Sequence, residues 1–471
     1  MTPATVAACG ETWESSVMPV LCDYVRIPNV SSAYDAAWRE NGHMMRAAAM
    51  LRDWCAAQPV AGMTVDLLVH ESLSPLLLVE IEPHMTPRAD TVLLYGHLDK
   101  QPEMTGWRDG LGPWEPVVED GRLYGRGGAD DGYSVFASLT AVAVAQREGR
   151  PHARCVILIE ASEESGSIDL PAWLEIVGGR LGEPSLVICL DSGCLDYERM
   201  WVTTSLRGLA DGVLRVDVLT EGVHSGEASG VVPSSFRIAR ALLDRIEDSG
   251  TGEILLAELH SDIPPHRMEE ARDTAAEFPE PIAGHFPLAG STAAMTPDAA
   301  EQLLNRTWRA TLSVTGADGL PPTDRAGNVL RPHTSLRLSF RLPPTCDSAG
   351  ALEAVRRALT VDPPHGATVS FSDTHAADGW NAPAPEPWLT AALDEASTAS
   401  FGRGARNFGE GGSIPFMGML GERFPRAQFV ITGVLGPGSN AHGPNEFMHI
   451  DTAKRLTAAM SMVLSAHAAR P

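Results

Sequence analysis

Long apolar runs, basic charge and paired cysteines are all scarce in this chain, and each scarcity excludes something. No apolar run approaches the length needed to cross a bilayer, so a membrane-spanning role is not expected. The opening residues, MTPATVAACGETWESS, lack both a basic stretch and an apolar stretch of the kind a secretory leader carries, so export is not expected either. Lys and Arg number 36 against 60 Asp and Glu, a formal net charge of −24, which makes nucleic acid or an anionic membrane an unfavourable partner. The seven cysteines are odd in number and scattered, and none forms a C-x-x-C pair. A disulfide framework is not expected in so long a chain, and a reducing cytoplasm is the expected compartment. Cys155 and Cys189 lie inside apolar runs and read as small core residues.

What is present is a globular composition, 44% hydrophobic over 471 residues, enough for about two to four domains. From His43 to Ala57 the apolar positions Met44, Ala47, Leu51 and Cys55 recur at helical spacing. Residues 60–205 alternate apolar runs with helical segments, the signature of βαβ units and a mainly parallel sheet. The Ala-, Val- and Leu-rich stretch Tyr133 to Glu148 predicts a helix lying flat on that sheet. Near Ser205 the pattern changes. Residues 212–222 and 333–342 alternate with period two: Leu336, Leu338, Phe340 and Leu342 face one way, Arg337, Ser339 and Arg341 the other. With a helix predicted from about Ser235 to Asp248, this middle region reads as two-layer α+β, and residues 250–330 as an elaboration of it. A Pro-rich return (Asp378 to Trp388) leads to another apolar run, Gln428 to Leu435. The expected architecture is an α/β domain made of 1–205 plus 385–471, with 206–384 inserted into it.

Five segments concentrate metal-binding side chains: TVLLYGHLDKQP, LYGRGGADDG, VILIEASEESGS, LVICLDSG and SNAHGPNE. Three begin as an apolar run and end in an acid or histidine, which is how a buried parallel strand delivers a polar group to the carboxyl edge of its sheet. His97 and Asp99 are two apart, so in extended backbone they share a side, and Asp99 can fix the imidazole tautomer while the other nitrogen binds metal. In the Gly-rich segment, Gly125 and Gly127 are followed by Asp130, so the dinucleotide fingerprint G-x-G-x-x-G fails at its third position. The adjacent acids Asp130 and Asp131 repel unless a cation is near. Glu163 and Glu164 diverge in extended backbone, so that one can bind metal while the other faces an attacking water. Asp191 follows LVICL, with a helix N-cap as its competing reading. His442 carries little weight alone. Together the segments point to water, activated by two metal ions, attacking an amide.

In order, these residues resemble the aminoacylase, carboxypeptidase G and carnosinase superfamily of two-metal hydrolases, and within it the carnosinase-like cytosolic non-specific dipeptidases. The likeness is strongest in YGHLDKQP, LYGRGGADDG, EESGS, HSG and GEGGSIP. It implies a phosphorylase/hydrolase-like α/β catalytic domain with an inserted lid and dimerisation domain, hence a homodimer. It implies that His97 and Asp191 hold one metal, Glu164 and His442 the other, and that Asp130 bridges them. Glu163 is then the base, Asp99 the orienter of His97, and the Asp130–Asp131 peptide is cis. In the inserted domain it implies that His224 reaches the partner's active site and that Asn328 contacts substrate. Arg341 then pairs with a substrate carboxylate, Glu410 faces a free α-amine, and Gly412 and Ser413 offer backbone and hydroxyl contacts to a carboxylate. Three positions depart from the family pattern: Gly132 replaces a Lys, Gly409 an Arg and Gly443 a Ser. The implied activity is dipeptide hydrolysis with two divalent ions, Zn2+ by default and Mn2+ or Co2+ as alternatives. The competing activities on the same scaffold are N-acyl amino-acid amidohydrolase (deacylase) and carboxypeptidase. A catalytically silent metal-binding protein is the third reading, disfavoured because every ligand and the base are kept.

Overall fold

A computed structural model describes residues 2–277, 282–412 and 415–470. The chain divides into two compact units. The first comprises Met1–Thr203, Ala382–Phe408 and Met419–Pro471; the second comprises Thr204–Asn381 and Gly409–Gly418. The sequence boundaries had left residues 409–418 with the first unit. They belong to the second because Arg207 holds them: its backbone N–H donates to Gly412 O (3.1 Å) and its Nε to Gly411 O (3.1 Å).

In the first unit, parallel strands Arg154–Glu160, Thr91–His97, Pro184–Cys189 and Gln428–Ile431 lie side by side in that order. Antiparallel strands flank them: Leu76–Ile81 and then Met63–Leu68 beyond Arg154–Glu160, and Trp201–Leu206 beyond Gln428–Ile431. The central strands are buried on both faces, every residue from Thr91 to His97 included, which is why they read as unbroken apolar runs. Val92, Leu94 and Ile157 share one core with Phe136 and Leu139 of the helix Ser134–Arg147 and with Leu456, Met460 and Val463 of the helix Ile450–Ala469. The N-terminal helical segment joins that core through Trp13, whose Nε1 donates to Thr457 Oγ1 (2.9 Å).

The second unit is a four-stranded antiparallel sheet in the order Thr311–Asp318, His333–Leu342, Gly208–Asp217, Thr368–Ala377. Its apolar face packs on the helices Ser235–Leu243 and Ser348–Thr360: Leu336, Leu338, Phe340 and Leu342 meet Ile238, Leu242, Val355 and Leu359. The first helix stops at Leu243, short of the predicted Asp248: past it the N–H groups of Arg245 and Ile246 bond back three residues, to Leu242 O (3.2 Å) and Leu243 O (2.8 Å), and the chain leaves α geometry. The strand predicted from 212 starts earlier, at Gly208, and ends at Asp217.

At the start of strand Pro184–Cys189, Ser185 Oγ lies 2.8 Å from His467 Nε2 and donates to Asp90 Oδ2 (2.6 Å). Serine, histidine and aspartate in contact invite comparison with a hydrolytic triad, but the order is wrong. The carboxylate meets the hydroxyl rather than the far ring nitrogen, and His467 Nδ1 has no hydrogen-bond partner among the described residues. The set is a fastening between the last helix and the sheet. Burial, with the Arg470 cation beside it, pushes the His467 imidazole down to about 3. The ring therefore stays neutral in the folded protein, while in the unfolded chain it takes up a proton below about 6.5. Its contribution to stability is intact above that pH and declines as pH falls from 6.5 toward 3. The midpoint of urea unfolding, measured between pH 7 and pH 4, should fall less steeply in His467→Leu than in the unsubstituted protein.

Candidate metal centre

The ligand segments that carry His97, Glu164 and Asp191 start where an apolar strand runs out. His97 is the last residue of its strand and is buried. Its Nδ1 lies 3.1 Å from the Asp99 carbonyl and 3.4 Å from Asp99 Oδ1, two acceptors that assign the ring proton to Nδ1. Nε2 is then the free donor atom, 3.2 Å from Asp130 Oδ1 and 3.7 Å from Asp191 Oδ2. Asp130 stands in the loop after strand Arg122–Tyr124, and its peptide bond to Asp131 is cis. Asp131 turns the other way, its Oδ2 accepting the His97 backbone N–H (3.2 Å). Asp191 lies just past strand Pro184–Cys189.

On the other side of Asp130, His442 Nε2 is 2.9 Å from Asp130 Oδ2 and 3.4 Å from Glu164 Oε2. Gln101 Nε2 donates to that same Glu164 oxygen (2.6 Å). The structure thus brings together two donor sets, His97, Asp130 and Asp191 in one and Asp130, Glu164 and His442 in the other. Within each, the donor atoms lie within 4.8 Å of one another, and Asp130 belongs to both. The Glu163–Glu164 pair differs from expectation in one respect. It occupies a 3₁₀ turn, Glu163–Ser165, rather than extended backbone. The Asp99 carboxylate imposes that turn by accepting the N–H groups of Glu163 (3.1 Å) and Glu164 (3.0 Å). Asp99 therefore couples the His97 loop to the glutamate loop as well as orienting the ring.

The electrostatics fit a cation-binding site. Burial, and then repulsion from Asp191, Glu164 and Asp99, raises the Glu163 carboxyl well above its ordinary range. Glu164 is raised likewise by burial and Asp130, and Asp131 by burial and Asp191. Burial lowers the His97 imidazole, but Asp191, Asp130 and Asp99 more than offset it and hold it well above the usual value. Buried acids with oxygens aimed at common points, and imidazole nitrogens aimed at the same points, are a donor set for divalent ions of the zinc, manganese or cobalt type.

Several supporting residues were not singled out by sequence reasoning. Glu160, the last residue of its strand, is buried and accepts from Tyr95 Oη (2.7 Å), Ser162 Oγ (2.9 Å) and Ser167 Oγ (2.8 Å), tying down the loop that carries Glu163. Burial, with Asp99 nearby, pushes its carboxyl up to about 7. Lys100 is fully buried, and its Nζ donates to the carbonyls of Tyr24 (2.8 Å) and Ile27 (2.8 Å) at the end of the helix Met18–Val25. An acid ending the run Val-Ile-Leu-Ile, and a lysine inside YGHLDKQP, were the available signals. At each of the three departures from the family pattern an added Cβ would meet a close neighbour. A Cβ on Gly132 would lie 2.2 Å from the Tyr24 ring, one on Gly409 2.7 Å from Ser205 Oγ, and one on Gly443 2.3 Å from Asn440 Nδ2.

The remaining predicted residues lie in the second unit. His224 and Asn328 are brought together: Val223–His224 pairs with Val329–Leu330, and the Ser225 N–H donates to Asn328 O (3.0 Å). His224 and Asn328 are exposed. Arg341 stands on the polar face of its strand, opposite Thr311 and Leu209. Arg207, which donates to Thr311 Oγ1 (3.2 Å), is pulled down to about 9 by burial and by the cations of Arg341 and Arg306. Arg306 in turn lies 3.9 Å from Glu410. Sequence reasoning found Arg341 and Glu410 but not Arg207 or Arg306. Gly412 contributes its carbonyl to Arg207, and Ser413 lies outside the described residues.

Comparison with known proteins places this geometry. The cysteinylglycine-S-conjugate dipeptidase of Corynebacterium striatum is 29% identical over 384 residues, 78% of this chain and 80% of that protein. The human Beta-Ala-His dipeptidase is 27% identical over 293 residues, 61% of this chain and 56% of that one. The solved structure of the dipeptidase Dug1p from Saccharomyces cerevisiae superposes with a TM-score of 0.78 at 21% identity, covering 99% of both chains, so the fold is shared. Residues 93–466 match the peptidase family M20/M25/M40; the chain belongs to that family and is a peptide-bond hydrolase.

Proposed function

We propose that the protein is a metal-dependent dipeptidase acting on small dipeptides. The observation that carries this reading is the pair of donor sets joined through Asp130, with Glu163 beside them. The dipeptidase activities named for its relatives support the substrate class. His97, Asp130 and Asp191 would hold one ion, and Asp130, Glu164 and His442 the other, with Zn2+ the ion we assign. Such a pair supplies a Lewis acid for the scissile carbonyl and lowers the pKa of a water from about 16 toward 7.

The rest falls to the chain's own groups. Glu163, whose carboxyl is raised by burial and by neighbouring acids, is suited to take a proton from the attacking water and to return it to the leaving amine. His97 is held to one tautomer by Asp99, and Gln101 fixes one oxygen of Glu164. By the family resemblance, His224 would hydrogen-bond the developing oxyanion in a second copy of the chain, Asn328 would contact substrate, and Arg341, within its group of arginines, would bind the substrate carboxylate. Glu410 would face the free α-amine, and Gly412 and Ser413 would line the carboxylate end. A homodimer formed through the second unit and residence in a reducing cytoplasm complete the reading. All seven cysteines are free.

Glu163→Gln should lower turnover by about 10²–10⁴-fold while ion content, read by plasma mass spectrometry, stays at the unsubstituted level; normal turnover in that variant would remove Glu163 from the mechanism. Hydrolysis of a free dipeptide should exceed that of its N-acetylated form. The reverse preference would favour the acyl-amino-acid reading. Stripping ions with a chelator should lower the melting temperature reversibly, by the equivalent of about 2.7 kcal/mol for each ion normally present at 100 times its Kd. Light scattering on the eluting protein should return twice the chain mass of 50.2 kDa, and the monomer mass would refute the dimer.

A further inference from the structure

The two donor sets differ in how their ligands are held. His97 and Asp191 follow buried parallel strands, and the His97 ring is fully enclosed. His442 has no such support. It stands in the loop 439–446, outside any helix or strand, with its side chain 55% exposed. Asn440, His442 and Asn445 all have positive φ, at 54°, 64° and 60°. L residues rarely adopt that conformation, and it persists only where the surroundings impose it. The loop's own bonds, Asn440 Nδ2 to Pro444 O (2.6 Å) and Gly443 N to Asn440 O (2.9 Å), shape the turn. They do not fix its position relative to Asp130.

A buried ion pair does. Arg126 and Glu446 are 1% and 0% exposed and are bonded to each other. The Arg126 guanidinium also donates from NH2 to the carbonyls of His442 (2.8 Å) and Gly443 (3.0 Å). Glu446 in turn accepts the Gly127 N–H on Oε1 (2.8 Å) and the Gly125 N–H on its carbonyl (3.0 Å). Every one of these bonds joins the His442 loop to the segment 125–127 that leads into Asp130. None touches His97 or Asp191.

We propose that Arg126 and Glu446 are positioning residues that hold His442 against Asp130, and that they set the affinity of the ion position made by Asp130, Glu164 and His442 without setting that of the position made by His97, Asp130 and Asp191. A guanidinium is required because its planar fork meets Glu446 and two carbonyls at once, which an ammonium on a flexible stem cannot do. The inference rests on the two-ion reading of the site.

The test titrates the ion-free protein with Zn2+ by isothermal calorimetry. The variants are Arg126→Met, Arg126→Lys and the doubly neutral Arg126→Met/Glu446→Gln, with His442→Ala as the reference for losing the exposed position. The double variant leaves no unpaired buried charge and so guards against unfolding. The unsubstituted protein should bind two ions per chain. Each variant should keep one ion at unchanged affinity and weaken the other by about 10–100-fold, the weakened position matching the one lost in His442→Ala. Melting of the ion-free forms should show the fold intact. Two ions at unsubstituted affinity in the variants, or equal weakening of both, would overturn the proposal. A count other than two in the unsubstituted protein would instead overturn the two-ion reading beneath it.

Discussion

Carboxylates buried close to one another repel, and the first unit is organised around that repulsion. Its buried acids are treated in two ways. Asp99 and Glu160 are satisfied by the protein itself, through backbone N–H groups in one case and three hydroxyls in the other. Asp130, Asp191 and Glu164 have oxygens directed at points they share with His97 and His442. The first kind hold the loops in place, and the second kind need positive charge between them. Asp99 joins the two functions, since it meets the imidazole of one donor set and the backbone of the loop that supplies a ligand to the other.

The sheet makes this arrangement affordable in backbone terms. Strands Arg154–Glu160, Thr91–His97 and Pro184–Cys189 run parallel and in register, so their carboxyl ends open on one edge. Each has only to extend a short loop to bring its polar residue to the others. The second unit is built on different terms: one face of an antiparallel sheet is apolar and covered by helices, and the other carries Asp211, Arg337 and Arg341.

Much of this was legible in the sequence because the signals were local. An apolar run ending in an acid or histidine marks a strand end, which places His97, Glu163, Glu164 and Asp191, and the alternation from His333 to Leu342 displays the two faces of its strand without further information. What was not legible depended on partners far away in the chain. The 3₁₀ turn at Glu163 is set by Asp99, and the membership of residues 409–418 by Arg207. Arg126 and Glu446 both stand inside quoted motifs, but an ion pair between residues so far apart leaves no trace in spacing.

Strand Gln428–Ile431 lies between Pro184–Cys189 and Trp201–Leu206, in the interior of the first unit's sheet, although it comes from near the end of the chain. A ribosome making this protein has therefore released almost all of the inserted segment before the strand that closes the sheet exists. Until then the growing chain carries an open slot flanked by two unpaired strand edges, an invitation to mispairing between nascent copies. The sheet of the second unit also joins strands far apart in the chain, Gly208–Asp217 with His333–Leu342 and Thr368–Ala377, but all of them precede Gln428 and can pair before it is made. Early completion of that sheet gives the surrounding unit a folded neighbour rather than a long loose loop while the missing strand is still being synthesised.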